Sequence, residues 1–426
     1  MKNFQIIILI VFMVAAIVGV LAFSGALPIG GGNSPGKGGT VVIWGTASAP
    51  DLSKALDDFN RANPSYTLKY VQKHPENFDR DLLEALASGT GPDLFFITDN
   101  LVYKYSNKIF TVPYQSYPLS VFSSNFSGAG NVFLSSSGLL AFPMAVDPLM
   151  MYYNRSILEA NGIIYPPEYW DQLPELSAAL RRKDSSGGLK QSAFALGQFS
   201  NINNAKDILA ALFMQTGNPI VTGKGGVFVS ALNQSNLSQV LGSYTDFANP
   251  LKAVYSWNKS LPSSADAFSS GSLVFYFGLA SEANILSEKN PNQNFGMAPI
   301  PQIKNAGFKL TSARVTGIAV SAFSKNLNSA FVVANLLATG DFAKQFAAAE
   351  HMAPARRNLL ALPDPSDPFQ KVVYSSALYA RSWPDPSSKD TDKLFQQMVE
   401  NVLSGNFTPE AAINDASAKL GILLNK

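Results

Sequence analysis

The chain has 426 residues, of which 46% are hydrophobic and 15% charged, so it is long enough for two globular lobes and too apolar to be disordered. Its 32 basic and 30 acidic residues give a net charge of +2 without a long basic run, which argues against a nucleic-acid partner. The absence of cysteine excludes disulfides, thiolate metal sites, cysteine nucleophiles and lipid attachment through an N-terminal cysteine.

The N-terminal segment contains an uncharged apolar run over residues 6–23. A run of this length is near the minimum for spanning a bilayer and exceeds the usual apolar core of a signal peptide. We therefore predict an uncleaved N-terminal membrane anchor over residues 1–27. Cleavage near Ala26, with secretion of the remainder, is the alternative. The Gly- and Pro-rich residues 28–39 predict a flexible linker.

The next segments alternate between strand and helix patterns. Strands are predicted at 40–45, 68–71 and 93–98, and helices at 51–62 and 78–88, the second ended by Gly89. This alternation indicates βαβ units on a mostly parallel sheet, in which ligands bind beyond the carboxyl ends of the strands. Residues 46–48 and 98–100 are therefore expected at the mouth of a site.

The stretch 142–170 places one acidic residue, Asp147, between two apolar, strand-like runs. A helix over 156–161, ended by Gly162, follows it. A carboxylate at such a chain crossing is a candidate ligand-binding group. A solvated turn before Pro148 explains the same pattern equally well.

Helical patterns dominate the rest of the chain. Helices are predicted at 170–183, 205–215, 237–248, 328–339, 341–350, 394–404 and 409–424, and strands at 273–280 and 310–321. Thr408, Pro409 and Glu410 mark the start of the last helix.

These segments resemble family 1 of the extracellular solute-binding proteins, which includes the maltose-binding protein. The hinge pattern of that family is matched by Pro143, Asp147, Tyr153, Asn154, Gly162, Pro167 and Trp170, with Tyr169 in place of the usual Thr. Further matches follow in order at 87–93, 267–271, 295–301, 324–326 and 354–356. The resemblance covers the chain from about residue 40 to the C-terminus.

The resemblance implies an α/β, two-lobe, periplasmic-binding-protein-like (type II) fold with a ligand cleft between the lobes, here preceded by the predicted transmembrane helix. Its implied N-lobe is 40–146 with 301–340, and its C-lobe is 147–300 with 341–426. Crossings are expected near 145–149, 296–301 and 341–350. The implied function is capture of a carbohydrate, an oligosaccharide, outside the cytoplasm by a monomer. The partner would be the permease of an ABC importer, and neither enzyme activity nor a cofactor is expected.

A carbohydrate site needs flat aromatic faces and planar polar groups. Trp257 and Trp383 lie in loops without apolar periodicity and are candidates for stacking, and Trp44 fits either stacking or the core. Tyr276 alternates with Phe277 on a strand, so one of the two is expected to face the cleft. Trp170, at the start of a predicted helix, is expected to be structural.

The polar candidates follow in part from the resemblance. They are Asp147, Asp99, Asn100, Thr46, Ser48 and Arg314. In the family an acidic side chain at the position of Asp147 contacts a sugar hydroxyl, and a polar pair at the positions of Asp99 and Asn100 contacts ligand. Arg314 fits a carboxylated sugar, a stacking contact or a plain surface position.

Several alternatives remain open at this point. Another solute, such as a polyol phosphate or a peptide, is the rival within the class, and a glycan-degrading enzyme or a polymer-binding adhesion module are rivals outside it. Against an enzyme, only His74 and His351 are present, and no nucleotide or nucleophile motif occurs. A glycosidase carboxylate pair stays possible. The Asp-rich loops 364–367 and 385–392 are expected to be solvated, with calcium binding as the alternative, and no metal site is predicted.

Overall fold

The computed structural model describes residues 38–224, 227–232 and 235–425. The predicted anchor lies outside the described residues, as does nearly all of the predicted linker. No helix in the described ranges is long and apolar enough to cross a membrane.

Fifteen strands and sixteen α-helices are described. The strands are β1 Thr40–Gly45, β2 Thr67–Gln72, β3 Leu94–Thr98, β4 Val112–Pro113, β5 Gly138–Leu139, β6 Phe142–Asn154, β7 Arg182–Lys183, β8 Leu189–Phe194, β9 Val221–Lys224, β10 Val227–Ser230, β11 Leu273–Leu279, β12 Phe295–Pro299, β13 Thr311–Val320, β14 Ala353–Pro354 and β15 Ala380–Arg381. The α-helices are α1 Ala49–Ala62, α2 Pro75–Ser88, α3 Asp99–Tyr105, α4 Leu119–Asn125, α5 Arg155–Ala160, α6 Leu173–Leu180, α7 Ala205–Gln215, α8 Ser235–Asp246, α9 Ser264–Ser269, α10 Glu282–Lys289, α11 Leu327–Thr339, α12 Asp341–Ala349, α13 Arg357–Leu360, α14 Gln370–Tyr379, α15 Ser388–Leu403 and α16 Pro409–Leu424.

Helix ends that depend on local capping match the predictions. Helix α2 ends at Gly89, whose φ of 69° is the left-handed conformation that glycine adopts without strain. Helix α16 starts where the Thr408 side chain accepts a hydrogen bond of 3.2 Å from the backbone N–H of Ala411. These ends are predictable because the residues that set them lie within one turn of the helix.

One sheet of eleven strands runs through both lobes. Its main order is β2-β1-β3-β13-β6-β11-β8-β7, with β12 and β14 added on β6 and β15 on β13. We call the part around β1, β2 and β3 the first lobe and the part around β7, β8, β11 and β12 the second lobe. Strand β1 is parallel to both β2 and β3, but β13 and β6 run antiparallel to their neighbours along the main order. The sheet is therefore mixed, which corrects the expectation of a mostly parallel one.

The long strand β6 connects the lobes. It pairs with β13 through residues 142–148 and with β11 through residues 149–153. The predicted crossing near 145–149 thus lies inside one continuous strand, and Asp147 sits in this strand rather than in a turn. A β-strand that crosses from one lobe to the other couples their positions through backbone hydrogen bonds.

Helix α12 belongs to the first lobe, which corrects both the predicted crossing at 341–350 and the assignment of these residues to the C-lobe. Its Phe342 contacts Phe59 of α1 with ring centres 6.3 Å apart. Its Phe346 stacks on Phe96 of β3 at 4.6 Å. The apolar periodicity of the helix predicts a buried face but does not indicate which lobe covers it.

Candidate functional site

A cleft of about 370 Å³ lies where the two lobes meet. The end of β3 borders it from the first lobe, the start of β13 forms part of its wall, and the start of α7 and the loop after β15 border it from the second lobe. Its lining residues are Thr98, Asp99, Asn100, Lys206, Asp207, Ser312, Ala313, Arg314, Trp383, Asp385, Ser388 and Asp392. Four of the ten predicted site residues are among them: Asp99, Asn100, Arg314 and Trp383.

Asp99 and Asn100 enter the cleft because they follow β3 directly. Strands β1 and β3 are parallel neighbours, so their carboxyl ends lie at the same edge of the sheet. The Ser382 hydroxyl, from the loop after β15, donates a hydrogen bond to the Asp99 carboxylate. Burial raises the pKa of Asp99 to about 6, although the Ser382 hydroxyl and the Arg314 charge oppose the shift. Asp99 therefore joins the two sides of the cleft.

Arg314 is paired with an aspartate of the same cleft. Its Nη2 lies 2.9 Å from Oδ2 of Asp207, and 3.5 Å from the side-chain oxygen of Asn204. Asp207 raises the pKa of Arg314 above its ordinary value, against the effect of burial. The Arg314 side chain is 55% exposed, as a surface position predicts, but its guanidinium is held over the first turn of α7 and lines the cleft.

Lys206 connects α7, through an ion pair, to the loop that contains Trp383. Its Nζ lies 2.9 Å from carboxylate oxygens of both Asp385 and Asp392, while its side chain is only 12% exposed. Nζ also donates to the hydroxyl of Thr391 at 3.2 Å. Burial disfavours the charged ammonium, but the two aspartates outweigh it and raise the pKa of Lys206.

Trp383 is half-buried and supplies the aromatic surface of the cleft. One part of its ring system packs on Phe395 of α15, with ring centres 6.3 Å apart. Phe395 is fully buried, so it gives the indole a rigid support. A supported, partly exposed aromatic face beside carboxylates and an amide is suited to a ligand with both apolar and hydroxyl-bearing surfaces.

Asp147 does not line the cleft. It is 2% exposed, and its two oxygens accept hydrogen bonds from the backbone N–H and the hydroxyl of Ser281, at 3.0 and 2.6 Å. Burial raises the pKa of Asp147 to about 7, against the hydrogen bonds from Ser281 and the charge of Arg314. The Asp147 carboxylate is hydrogen-bonded to Ser281, the residue before α10. Its role is therefore structural, and the predicted contact with ligand is wrong.

This burial predicts a pH dependence. The folded-state pKa of about 7 lies above the ordinary value of 3.8, so the stabilising contribution of Asp147 is complete below pH 3.8 and is lost as the pH rises to about 7. We expect the free energy of unfolding of the wild type, relative to Asp147→Asn, to fall over this range by an amount on the order of a few kcal/mol. Urea unfolding of both proteins at several pH values measures this difference in the free energy of unfolding. Asp57→Asn, on an exposed position of α1, should show no such trend, and a pH-independent difference for Asp147→Asn would contradict the assignment.

Two predicted aromatic contacts are wrong. Trp257 is 1% exposed and belongs to the core of the second lobe, although it lies in a segment without apolar periodicity. Tyr276 is 0% exposed and donates its hydroxyl proton to Glu282, and Phe277 is also buried, so neither faces the cleft. Both faces of the central strand β11 are covered, and alternation along the strand therefore does not separate core from cleft.

The candidates at the end of β1 and directly after it, Trp44, Thr46 and Ser48, lie outside the cleft lining. The ammonium of Lys73 covers the ring of Trp44 at 3.6 Å from its centre. Ser48 caps α1, because its hydroxyl accepts from the backbone N–H of Asp51 at 3.5 Å. Thr46 is exposed. Trp170 is structural, as expected, since its Nε1 donates to Gln215 at 2.7 Å.

Sequence reasoning missed the charged half of the cleft. The missed residues are Lys206, Asp207, Asp385 and Asp392. A signal existed for the first two, because they are the only charged residues of the largely apolar helix α7 and occupy its first turn. The composition of residues 385–392 predicts a solvated loop, whereas Asp385 is 5% exposed and paired with Lys206. No group of three or more His, Cys, Asp or Glu in the described residues is arranged to hold a metal ion, so the calcium alternative has no support here.

Comparison with known sequences points to one family. The family model for bacterial extracellular solute-binding proteins matches residues 45–346. A putative binding protein of Brucella abortus (strain 2308) is 23% identical over 393 residues, which cover 91% of this chain and 93% of the relative.

Comparison with solved structures gives the fold. A cyclo/maltodextrin-binding protein, complexed with maltotetraose, superposes with a TM-score of 0.74 at 17% identity, over 92% of this chain and 98% of the other. A cyclic alpha-maltosyl-1,6-maltose binding protein from Arthrobacter globiformis has a TM-score of 0.74 at 16% identity, over 90% and 98% of the two chains. These similarities extend over both lobes, so the two-lobe fold is shared as a whole.

Proposed function

The chain belongs to the bacterial extracellular solute-binding protein family, and from this premise we propose that it captures an oligosaccharide between its lobes and delivers it to the transmembrane subunits of an ABC importer. The observation that carries the proposal is the cleft at the junction of the lobes, where Trp383 stands beside Asp99, Asn100 and Asp207. The carbohydrate ligands named for the two solved neighbours support the same substrate class.

The chemistry of the cleft suits a sugar. A pyranose ring presents apolar C–H faces, which pack on an aromatic ring, and hydroxyl edges, which donate to carboxylates. Trp383 supplies the first kind of surface. Asp99, Asp207 and Asn100 supply oxygen acceptors, and the amide of Asn100 also supplies donors.

Capture works through contacts with both lobes. Asp99 and Asn100 belong to the first lobe, while Trp383 and Asp207 belong to the second. A ligand that touches all four binds the closed arrangement more tightly than an open one, and therefore shifts the population toward closure. The closed form is then the state that the permease recognises.

We place this activity outside the cytoplasm, with residues 6–23 as the membrane anchor. We also propose that the protein is a binder without enzyme activity. Asp147, the acidic residue that the sequence singles out, has both oxygens engaged by Ser281 and does not line the cleft.

Calorimetric titration and thermal unfolding of the full chain with maltotetraose, cellotetraose and their shorter homologues test the proposal. A bound sugar at about 100 times its dissociation constant should stabilise the protein by roughly 2.7 kcal/mol. Small-angle scattering should show a smaller radius of gyration with that sugar, and the sugar should be recovered intact. A folded protein that binds no carbohydrate, or that cleaves it, would overturn the proposal.

A further inference from the structure

The cleft carries an excess of negative charge. Four of its lining residues are aspartates, namely Asp99, Asp207, Asp385 and Asp392, against one lysine and one arginine, which leaves a formal charge of −2. The carboxyl of Asp147 does not line the cleft but interacts with the charge of Arg314, which does, and Glu282 interacts with Asp147 in turn. The field in the cleft is therefore negative, and walls of low dielectric strengthen it.

The two cations of the cleft are already paired. Lys206 is held by Asp385 and Asp392, and its side chain is 12% exposed. Arg314 is held by Asp207 at 2.9 Å. A ligand anion would have to compete with these carboxylates for Nζ of Lys206 and Nη2 of Arg314, and would itself be repelled by the surplus aspartates.

Asp99 is the aspartate of the cleft lining without an ion pair, although the charge of Arg314 acts on it from a greater distance. Among the residues that the structure describes, its carboxylate accepts a hydrogen bond from the Ser382 hydroxyl and forms no ion pair. Burial disfavours the charged form of Asp99 and raises its pKa to about 6. A positive group on the ligand would stabilise the ionised carboxylate of Asp99, because a hydrogen bond between two charged groups is stronger than one to a neutral hydroxyl.

We propose that the cleft selects amino sugars. It binds an oligosaccharide that carries a protonated amino group more tightly than the neutral counterpart, and it rejects an oligosaccharide that carries carboxylates. Asp99 is the residue that determines the preference for the amino group. The inference rests on the proposed capture of carbohydrate, whose ligand class it narrows. It also replaces the expectation from the sequence that Arg314 binds a carboxylated sugar, since that guanidinium already has an acidic partner.

The test uses three β-1,4-linked tetrasaccharides that share one backbone: cellotetraose, the glucosamine tetramer and the glucuronic acid tetramer, with maltotetraose as a further neutral sugar. Calorimetric titration of the full chain near neutral pH gives their affinities. We expect the amino tetramer to bind about tenfold more tightly than cellotetraose, and the acidic tetramer to show no binding. Added salt should reduce the preference for the amino tetramer and leave the neutral sugars unchanged.

Asp99→Asn should bring the amino and neutral tetramers to nearly equal affinity. The readout is the ratio of these two affinities on the same variant, so a general loss of affinity does not affect it. The matched control Asp57→Asn removes an exposed aspartate of α1 and should keep the ratio of the wild type. If a neutral sugar binds and the amino tetramer binds no more tightly, the inference fails while the proposed function stands. The same holds if Asp99→Asn keeps the preference. If no carbohydrate binds, the proposed function fails first and the inference with it.

Discussion

Replacing Trp383 by alanine is expected to weaken oligosaccharide binding by about 30- to 100-fold, the loss typical of a buried aromatic anchor. The indole is the aromatic member of the cleft lining, and it rests on the fully buried Phe395. Alanine removes the flat apolar face on which a sugar ring packs, and no other ring in the lining replaces it. Calorimetric titration with the tightest-binding tetrasaccharide measures the change. Trp383→Phe keeps a flat face and should retain most of the affinity.

Trp257 provides the matched control. It is a tryptophan of the same lobe, but it is 1% exposed and has no part in the cleft lining. Trp257→Phe should lower the free energy of unfolding by about 1–3 kcal/mol through the space that it leaves in the core, and should change affinity little. Equal losses of affinity in Trp383→Ala and Trp257→Phe would mean that binding follows stability, and would remove Trp383 from the site.

The features that the sequence predicts well are those set by neighbours along the chain. The bounds of β1, α7 and α16 agree with prediction, and Gly89 ends its helix as expected. The position of Asp99 and Asn100 also follows from a local rule, because a residue directly after a strand of a parallel pair lies at the edge where ligands bind. Each of these conclusions needs only the order of residues and the period of the pattern.

The features that the sequence does not predict depend on contacts between distant segments. The burial of Trp257 and the placement of α12 on the first lobe are both decided by which apolar surface lies opposite. The pairing of Lys206 with Asp385 joins residues 179 positions apart. A loop rich in Asp, Pro and Ser has the composition of a solvated turn, so nothing within 385–392 indicates that its first aspartate is buried against a lysine.

Replacing Lys206 by methionine is expected to have the largest effect on stability. Asp385 is 5% exposed, and the change would leave its carboxylate buried without the ammonium 2.9 Å away. Breaking a buried pair from one side typically costs about 3–5 kcal/mol, whereas losing an exposed pair costs about 1 kcal/mol or less. Urea unfolding measures the loss. Lys259→Met is the matched control, since its ammonium lies 3.4 Å from Glu400 of α15 and both side chains are substantially exposed.

The pair also has a consequence for binding, because Asp385 follows Trp383 by two residues. If the pair holds the loop in place, Lys206→Met lowers oligosaccharide affinity, although Lys206 itself is engaged by aspartates rather than free for ligand. Adding Asp385→Asn to Lys206→Met removes the uncompensated charge and should recover part of the stability, with a coupling energy of roughly 1–3 kcal/mol in the double-mutant cycle. The recovered stability need not restore affinity, because the neutral pair no longer fixes the loop. A Lys206→Met variant as stable as Lys259→Met would show that the buried pair does not organise the cleft.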